Sequence, residues 1–598
     1  MSQLKQDEGI PYTQFACIGT GFSAIALGAT LSRWYGITSV AFFDRTHDLG
    51  GTWTVNQYPG AACDVPSALY SFSFAANPSW TRILPGAKEI QQYLRSVAEQ
   101  HDLPSKMVFN TAVERAEWLE DKSRWRITIR DVRTGETRQH ECQFLFAATG
   151  QFSKSRPLDV PGVDNFKGEV MHSARWKEDV PLDGKRVVVF GNGCTAAQLV
   201  PSILPRTKHL TQIARSRHWI MPPVDGVIPL TARRILQHTP GMLALQRLIV
   251  FVLAEIDFAA FETGKKWWRA RRQRVAEEYM RKTAPEKYLE MLVPDWEYGC
   301  KRRLFDSGYL EALHRENITL TEEKPAEVVE NGVRMASGEV IEADVIVLAN
   351  GFQMNDLLSE VEVVGRGERT LKQHWAEFGG VEAYNLVAVN GFPNLFFPLG
   401  PNAATGHTST VMIIENAINY ALRIIKPLLE GKAGVAEVKR DAEEAYVKEI
   451  HAELNKMVWA TGGCNSWYKM GSDATGTKTG WNGMTYPWWS GHYWWCCLFP
   501  VWKDWEYSGN PSKSTIVKRS RSGTWWLGTS LAVVLGGVLM AGPMKANPGS
   551  PLAVAMVAAA QNVNVSALAL FNKVGLESSR LLGSLRASTV AQVLWPPR

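Results

Sequence analysis

Two short glycine-rich runs carry the first chemistry legible in this chain, GTGFSA at Gly19–Ala24 and GNGCTAA at Gly191–Ala197. Each follows an apolar stretch that reads as a buried strand, FACI at 15–18 and RVVVF at 186–190, and each opens a stretch that reads as a helix. In that setting backbone N–H groups and the positive end of the helix hold a dinucleotide pyrophosphate. One such loop is weak evidence. Two, 172 residues apart, predict two dinucleotides facing each other. The ends of the following strands tell the two apart. Asp44, 25 residues after Gly19, is an acid placed to accept hydrogen bonds from a ribose. ARSRHW at Ala214–Trp219 offers instead Arg215 and Ser216, a guanidinium and a hydroxyl suited to a 2′-phosphate, and no acid. The second site is read as one for NADPH.

The elements that must position these groups follow from pattern. After the first loop, Phe22–Trp34 reads as a helix and Ser39–Asp44 as the next strand. Lys88–His101 reads as an amphipathic helix with Ile90, Tyr93, Leu94 and Val97 on one face. Alternating stretches near 108–117 and 124–131 read as strands of a small β layer. FLFAATG at Phe144–Gly150 and VIVLANG at Val345–Gly351 read as buried strands that end in small-residue turns. A helix to about Ile203 follows the second glycine loop. Residues 225–300 read as a helical insertion. Within it, Met242–Phe261 carries Gln246, Arg247, Glu255 and Asp257, each costly in lipid, so it is read as a helix packed on the body, beside the substrate.

With 598 residues the chain exceeds one domain core, and two or three domains are expected. A net charge of +6 is small for this length, and no nucleic-acid partner is expected. The eight Cys follow no framework of spacings, which predicts free thiols in a reducing compartment. Adjacent Cys496 and Cys497 lack zinc spacing, and no metal site is expected. No CxxxxC follows the first glycine loop, as a disulfide reductase would need. The N-terminal MSQLKQDEGIPYTQ has no apolar core, so no signal peptide is expected.

FKGEVMHSARW at Phe166–Trp176, between the two loops, resembles the FxGxxxHxxxW fingerprint of the Baeyer–Villiger monooxygenases, within the class B flavoprotein monooxygenases. The family's next residue is usually Pro or Asp, and here it is Lys177; the sister flavin-containing monooxygenases lack the Trp. GGTWTVNQYPGAACD at Gly50–Asp64 resembles the family's other motif, and the likeness runs from about Phe15 to about Trp467. It implies an α/β fold of two Rossmann-like dinucleotide-binding domains, for FAD and NADPH, with a helical insertion. The boundaries expected are 1–150 for the first half of the FAD domain, 151–224 with 301–350 for the NADPH domain, 225–300 for the insertion, and 351–510 for the second half of the FAD domain with a covering segment.

The resemblance assigns roles residue by residue. Gly19, Gly21, Ala24, Asp44, Gly51, Thr52, Trp53, Val55, Asp64, Val65, Tyr70 and Asn402 fall to FAD, the last within GPNAATGHTST at Gly400–Thr410, which resembles a late flavin loop. Ala62, Cys63, Asp64, Gly191, Asn192, Gly193, Cys194, Thr195, Ala196, Ala197, Arg215, Ser216, Lys301 and Trp467 fall to NADPH. GCKRRLFDSGYLEAL at Gly299–Leu313 matches the segment whose arginine lies over the flavin, which places Arg302 there with Asp64 to orient it. His172 and Trp176 are expected to link the domains as NADPH changes pose. The reaction implied is insertion of one oxygen atom from O2 beside a ketone carbonyl, giving an ester or lactone. Its substrate is expected to be a hydrophobic polyketide or terpenoid intermediate, as in fungal secondary metabolism. Oxygen transfer to an amine, thioether or alkene stays open, as does a membrane-tethered flavoprotein scaffold without catalysis.

The tail differs in kind. Thr524–Gly542 is 19 residues without a charge, long enough as a helix for a membrane span, and Lys518, Arg519 and Arg521 precede it. A transmembrane helix at 524–542 is expected, with a tail at 543–598 and the catalytic body in the cytosol, in the endoplasmic reticulum membrane if the host is a eukaryote. The apolar stretch 551–571 is broken by Gln561, Asn562 and Asn564.

Overall fold

The structure is a computed structural model that describes residues 9–353, 357–358, 360–466, 468–469 and 480–510. Apolar runs at the expected places become the inner strands of two sheets. In the first, Tyr12–Ile18 lies between Val40–Phe43 and Thr137–Ala147, parallel to both. Beyond Thr137–Ala147 the sheet continues antiparallel through Arg124–Asp131 and Thr111–Leu119, the alternating strands of the β layer. Glu362–Val364 adds to that edge and Leu395–Phe396 pairs with Thr137–Ala147, so late chain is stitched onto the early sheet.

The second sheet is all parallel, in the order Ile318–Thr321, His209–Ile213, Arg186–Phe190, Val345–Leu348, Glu169–His172. Its inner strands, VVV at 187–189 and VIVL at 345–348, are buried on both faces, as strands of a parallel sheet are. The helix read from period 3.6 spans Ala87–Gln100, and Ile90, Tyr93, Leu94 and Val97 are buried along it together with Ala87 and Ala98. Burying each of the four larger side chains contributes roughly 1.5–3 kcal/mol.

Between strands Ile220–Met221 and Leu304–Phe305, which pair with each other, the chain makes the helices Leu230–His238, Met242–Asp257, Lys266–Thr283 and Leu289–Leu292. Met242–Asp257 is anchored by its costly residues. Asp257 is buried between Arg272, at 2.7 Å, and Arg303, at 2.8 Å, while Glu255 accepts from the Ser490 N–H and faces His407 at 3.2 Å. Among the described residues no helix is long and apolar enough to cross a membrane. Thr524–Gly542, the tail at 543–598 and Trp467 lie outside the described residues.

One expectation is corrected. Cys300 and Cys464 are joined in a disulfide, with Cα atoms 6.0 Å apart, while the other six cysteines are free. No spacing rule could show the pair, because 164 residues separate its members and the fold alone brings them together.

Candidate functional site

The two glycine loops both line one cavity of about 650 Å³, each forming part of its wall. In the first loop Gly19 has φ +115°, and a Cβ there would lie 2.5 Å from the Ala148 carbonyl oxygen. In the second loop Gly191 has φ +124°, and a Cβ would lie 2.2 Å from the Ala349 carbonyl oxygen. Neither position admits a side chain, and what each loop presents to the cavity is bare backbone at the start of a helix, Phe22–Tyr35 or Cys194–Ile203. Both cradles fit a pyrophosphate.

Asp44 lines the cavity and fixes the first loop. Its Oδ2 accepts from the Thr20 N–H and hydroxyl, both at 2.8 Å, and its Oδ1 from the Thr46 N–H and hydroxyl at 2.8 and 2.7 Å. The second loop is held by amides. Gln212 Nε2 donates to the Gly191 carbonyl at 2.9 Å, Asn192 Nδ2 donates to the Ser216 carbonyl at 3.2 Å, and the Tyr309 hydroxyl lies 2.9 Å from Gln212 Oε1. Arg215 and Ser216 line the cavity at this end. A second cavity of about 750 Å³ opens beside Gly191, where Arg215 is joined by Arg156 and Lys324. Sequence reasoning missed those two cations, which no motif marks.

The cavity also holds an ion pair. Arg302 Nε donates to Asp64 Oδ2 at 2.7 Å, and both residues line the cavity, half-buried. Burial alone would push the Asp64 carboxyl up, but the charge and hydrogen bond of Arg302 outweigh it and hold it below the usual carboxylate range. Burial would lower the guanidinium, and Asp64 outweighs that and holds it well above its usual value. The site therefore keeps a fixed cation at any working pH. Lys301 is buried beside it, with its ammonium 4.1 Å from the Trp296 ring centre. Burial, with the Lys301 charge, pushes the His218 imidazole down to about 4, so this cavity-lining ring is neutral.

The YPG turn supplies the join between the two nucleotide units. Gly60, at φ +83°, approaches the second helix so closely that a Cβ would lie 2.4 Å from the Gln198 carbonyl oxygen. Gln198 Nε2 donates to the Ala62 carbonyl at 3.0 Å and its Oε1 accepts from the Tyr58 hydroxyl at 2.8 Å. Gln198 was not foreseen.

Of the residues assigned from sequence, Gly19, Gly21, Asp44, Gly51, Thr52, Trp53, Ala62, Cys63, Asp64, Val65 and Tyr70 meet at the cavity with Gly191–Thr195, Arg215, Ser216, Lys301 and Arg302. Trp53 Nε1 donates to the Tyr70 hydroxyl at 3.0 Å. Ala24, Ala196 and Ala197 are buried inside the loop helices, and Val55 ends the short helix Thr52–Val55; none of the four lines the cavity. Asn402 is a brace instead, at φ +58° with its Nδ2 donating to the Asn482 and Thr485 carbonyls. From its loop, Ala404, Thr405, Thr408 and Thr410 face the cavity, at the first turn of helix Thr410–Ile424. His172 and Trp176 lie away from it. His172 accepts the Ala174 N–H at Nδ1, so Nε2 carries the proton and donates to the Gly351 carbonyl at 3.2 Å. It thus steadies the turn Asn350–Phe352, which does line the cavity. Trp176 packs on the outside of the second unit's core.

Two glycine-loop cradles on one cavity, with an arginine–aspartate pair lining it, define an enzyme site built for two dinucleotides. Residues 13–227 match the flavin-binding monooxygenase-like family. A Baeyer–Villiger monooxygenase of Streptomyces coelicolor is 36% identical over 479 residues, which cover 79% of this chain and 89% of that protein. An FAD-binding monooxygenase of Aspergillus terreus is 31% identical, over 76% of this chain and 83% of its own length. The structure of cyclohexanone monooxygenase from Rhodococcus sp. Phi1 bound to NADP+ superposes with a TM-score of 0.72 at 25% identity, covering 84% of this chain and all of that one. The chain belongs to the Baeyer–Villiger monooxygenases, enzymes that use FAD and NADPH.

Proposed function

We propose that this enzyme inserts one atom of O2 beside the carbonyl of a hydrophobic ketone of polyketide or terpenoid type, giving an ester or lactone, with Arg302 as the cation that stabilises the charge formed during oxygen transfer. The observation that carries this reading is the Arg302–Asp64 pair lining the cavity that the two cradles share. FAD, when bound, supplies the oxygen chemistry, and NADPH the electrons. The first loop with Asp44 would hold FAD, and the second with Arg215 and Ser216 would hold NADPH. Asp64 keeps the guanidinium in one orientation, so no reorganisation is needed when negative charge grows beside it. Neutral His218 adds no competing charge. Incubation of the holoenzyme with NADPH, ¹⁸O2 and a panel of ketones, thioethers and alkenes tests the reading. A ketone-derived ester carrying one ¹⁸O is expected; oxygenation confined to thioethers or alkenes would replace the ketone.

We further propose that Thr524–Gly542 anchors the chain in a membrane with the body on the cytosolic side. The uncharged run behind Lys518, Arg519 and Arg521 supports this. In a eukaryotic host a glycosidase-sensitive mobility shift abolished by Asn564→Gln is expected. A shift abolished by Asn317→Gln would reverse the orientation, although the Asn317 amide is spent on the Leu204 and Thr207 carbonyls.

A further inference from the structure

Cys300 and Cys464 do not line the cavity, but each directly precedes a strip that does. Lys301 and Arg302 follow the first, and Asn465 and Tyr468 follow the second. The segments just before the two strips also meet through their backbones. Glu297 N–H donates to the Gly462 carbonyl at 3.1 Å, and a Cβ on Gly462 would lie 2.8 Å from Cys300 Cβ. Both strips reach the cavity, and the Arg302 charge opposes the burial that raises the Tyr468 hydroxyl to about 12. Arg302 is thus tethered twice, at its head by Asp64 and through its backbone by the disulfide.

We propose that the Cys300–Cys464 bond is a positioning element for oxygen transfer, setting the strip of Arg302 against the strip of Tyr468. The inference rests on the role given to Arg302 above. A covalent link between segments 164 residues apart restricts their relative placement more than single backbone hydrogen bonds do. Cys464 is the more accessible partner, 9% against 1% exposed. The thiolate of a dithiol therefore attacks Cys464 Sγ, Cys300 leaves as thiolate, and the second thiol of the reagent releases Cys464. Re-formation takes two electrons and two protons from the paired thiols; hydrogen peroxide accepts them and becomes two waters.

The test uses the full FAD-loaded chain purified without reductant. Alkylation, digestion and mass spectrometry should recover the Cys300 and Cys464 peptides joined, and separately alkylated after dithiothreitol. Dithiothreitol-treated wild type, desalted, and a Cys300→Ser/Cys464→Ser variant should both reduce flavin with NADPH within about twofold of the oxidised wild type. In both, the share of NADPH ending as hydrogen peroxide rather than ester should rise at least about threefold. Brief peroxide treatment should restore coupling to the reduced wild type and not to the double variant. Two free thiols in the untreated protein, or unchanged coupling in the variant, would overturn the proposal. So would equal losses in flavin reduction and coupling, which mark a merely structural bond. Absence of ester from the oxidised wild type is a failure of the ketone reading instead, told apart because the peptide map needs no turnover.

Discussion

The two nucleotide units repeat one backbone device almost bond for bond. Gly19 N–H donates to the Phe43 carbonyl at the end of the neighbouring strand, and Gly191 N–H donates to that of Ile213. Ala148 N–H donates to the Ile18 carbonyl, and Ala349 N–H to that of Phe190. Each glycine is pressed against the carbonyl of that same alanine. What differs is the charge where the next strand ends. The first unit closes on a carboxylate, Asp44, which gathers Thr20 and Thr46; the second opens on Arg215, with Lys324 and Arg156 nearby. The shared geometry suits both loops to a pyrophosphate, and the two strand ends differ in the sign of their charge. On the proposed reading the cation would take a 2′-phosphate, while Asp44 holds the first loop in shape through Thr20 and Thr46.

The comparison breaks most sharply at the glycines. Gly19→Ala should abolish FAD retention, and Gly191→Ala should leave FAD in place while weakening NADPH at least tenfold. Each adds a Cβ where backbone blocks it, with positive-φ strain of order 1–3 kcal/mol besides. Flavin absorbance of the purified variants and NADPH titration check this, and identical phenotypes for the two would erase the distinction between the units. Next in size is Arg215→Ala, expected to cost NADPH roughly 1.5–3 kcal/mol and NADH much less. Equal losses for both nucleotides would show that Arg215 does not read the 2′-phosphate. Asp44→Asn should loosen FAD several-fold and leave NADPH untouched, because one formal charge leaves the Thr20–Thr46 network.

The smallest effect belongs to a charge cluster outside both loops, and it is a control on them. His374 Nε2 lies 3.0 Å from Glu382 and 3.2 Å from Glu443, all three buried. Burial pushes the Glu382 carboxyl up to about 8. The folded chain therefore keeps a proton that the unfolded chain releases above about 4.5, so stability falls as pH climbs through that window. Burial would lower His374, but the two glutamates outweigh it and raise it, which adds to the same downward trend. Glu382→Gln should flatten the fall in thermal midpoint between pH 5 and 8 without changing either nucleotide affinity. An unaltered slope would place the titration elsewhere.

Much of this was legible in the sequence because it is local. A strand, a glycine pair and a helix start lie within ten residues, and an acid or an arginine follows at the next strand end. Asp64 and Arg302, 238 residues apart, came together on paper only through likeness to a family. Phe166–Trp176 marks the family just as clearly, yet spacing cannot say which way a side chain faces, and His172 and Trp176 turn to the turn behind the cavity and to the outer core. Asn402 looked like a flavin contact by its company. Its left-handed backbone spends the amide on Asn482 and Thr485 instead. Gln198 and the Cys300–Cys464 bond depend on how separate segments pack, and no periodicity records that.

The central claim is that Arg302, oriented by Asp64, serves oxygen transfer and not cofactor binding. Rapid mixing of FAD-loaded Arg302→Ala with NADPH, then with O2 and a ketone accepted by the wild type, tests it most directly. The account predicts flavin reduction at close to the wild-type rate and ester formation lowered by about 10²–10³-fold. Ester formation at the wild-type rate would contradict it.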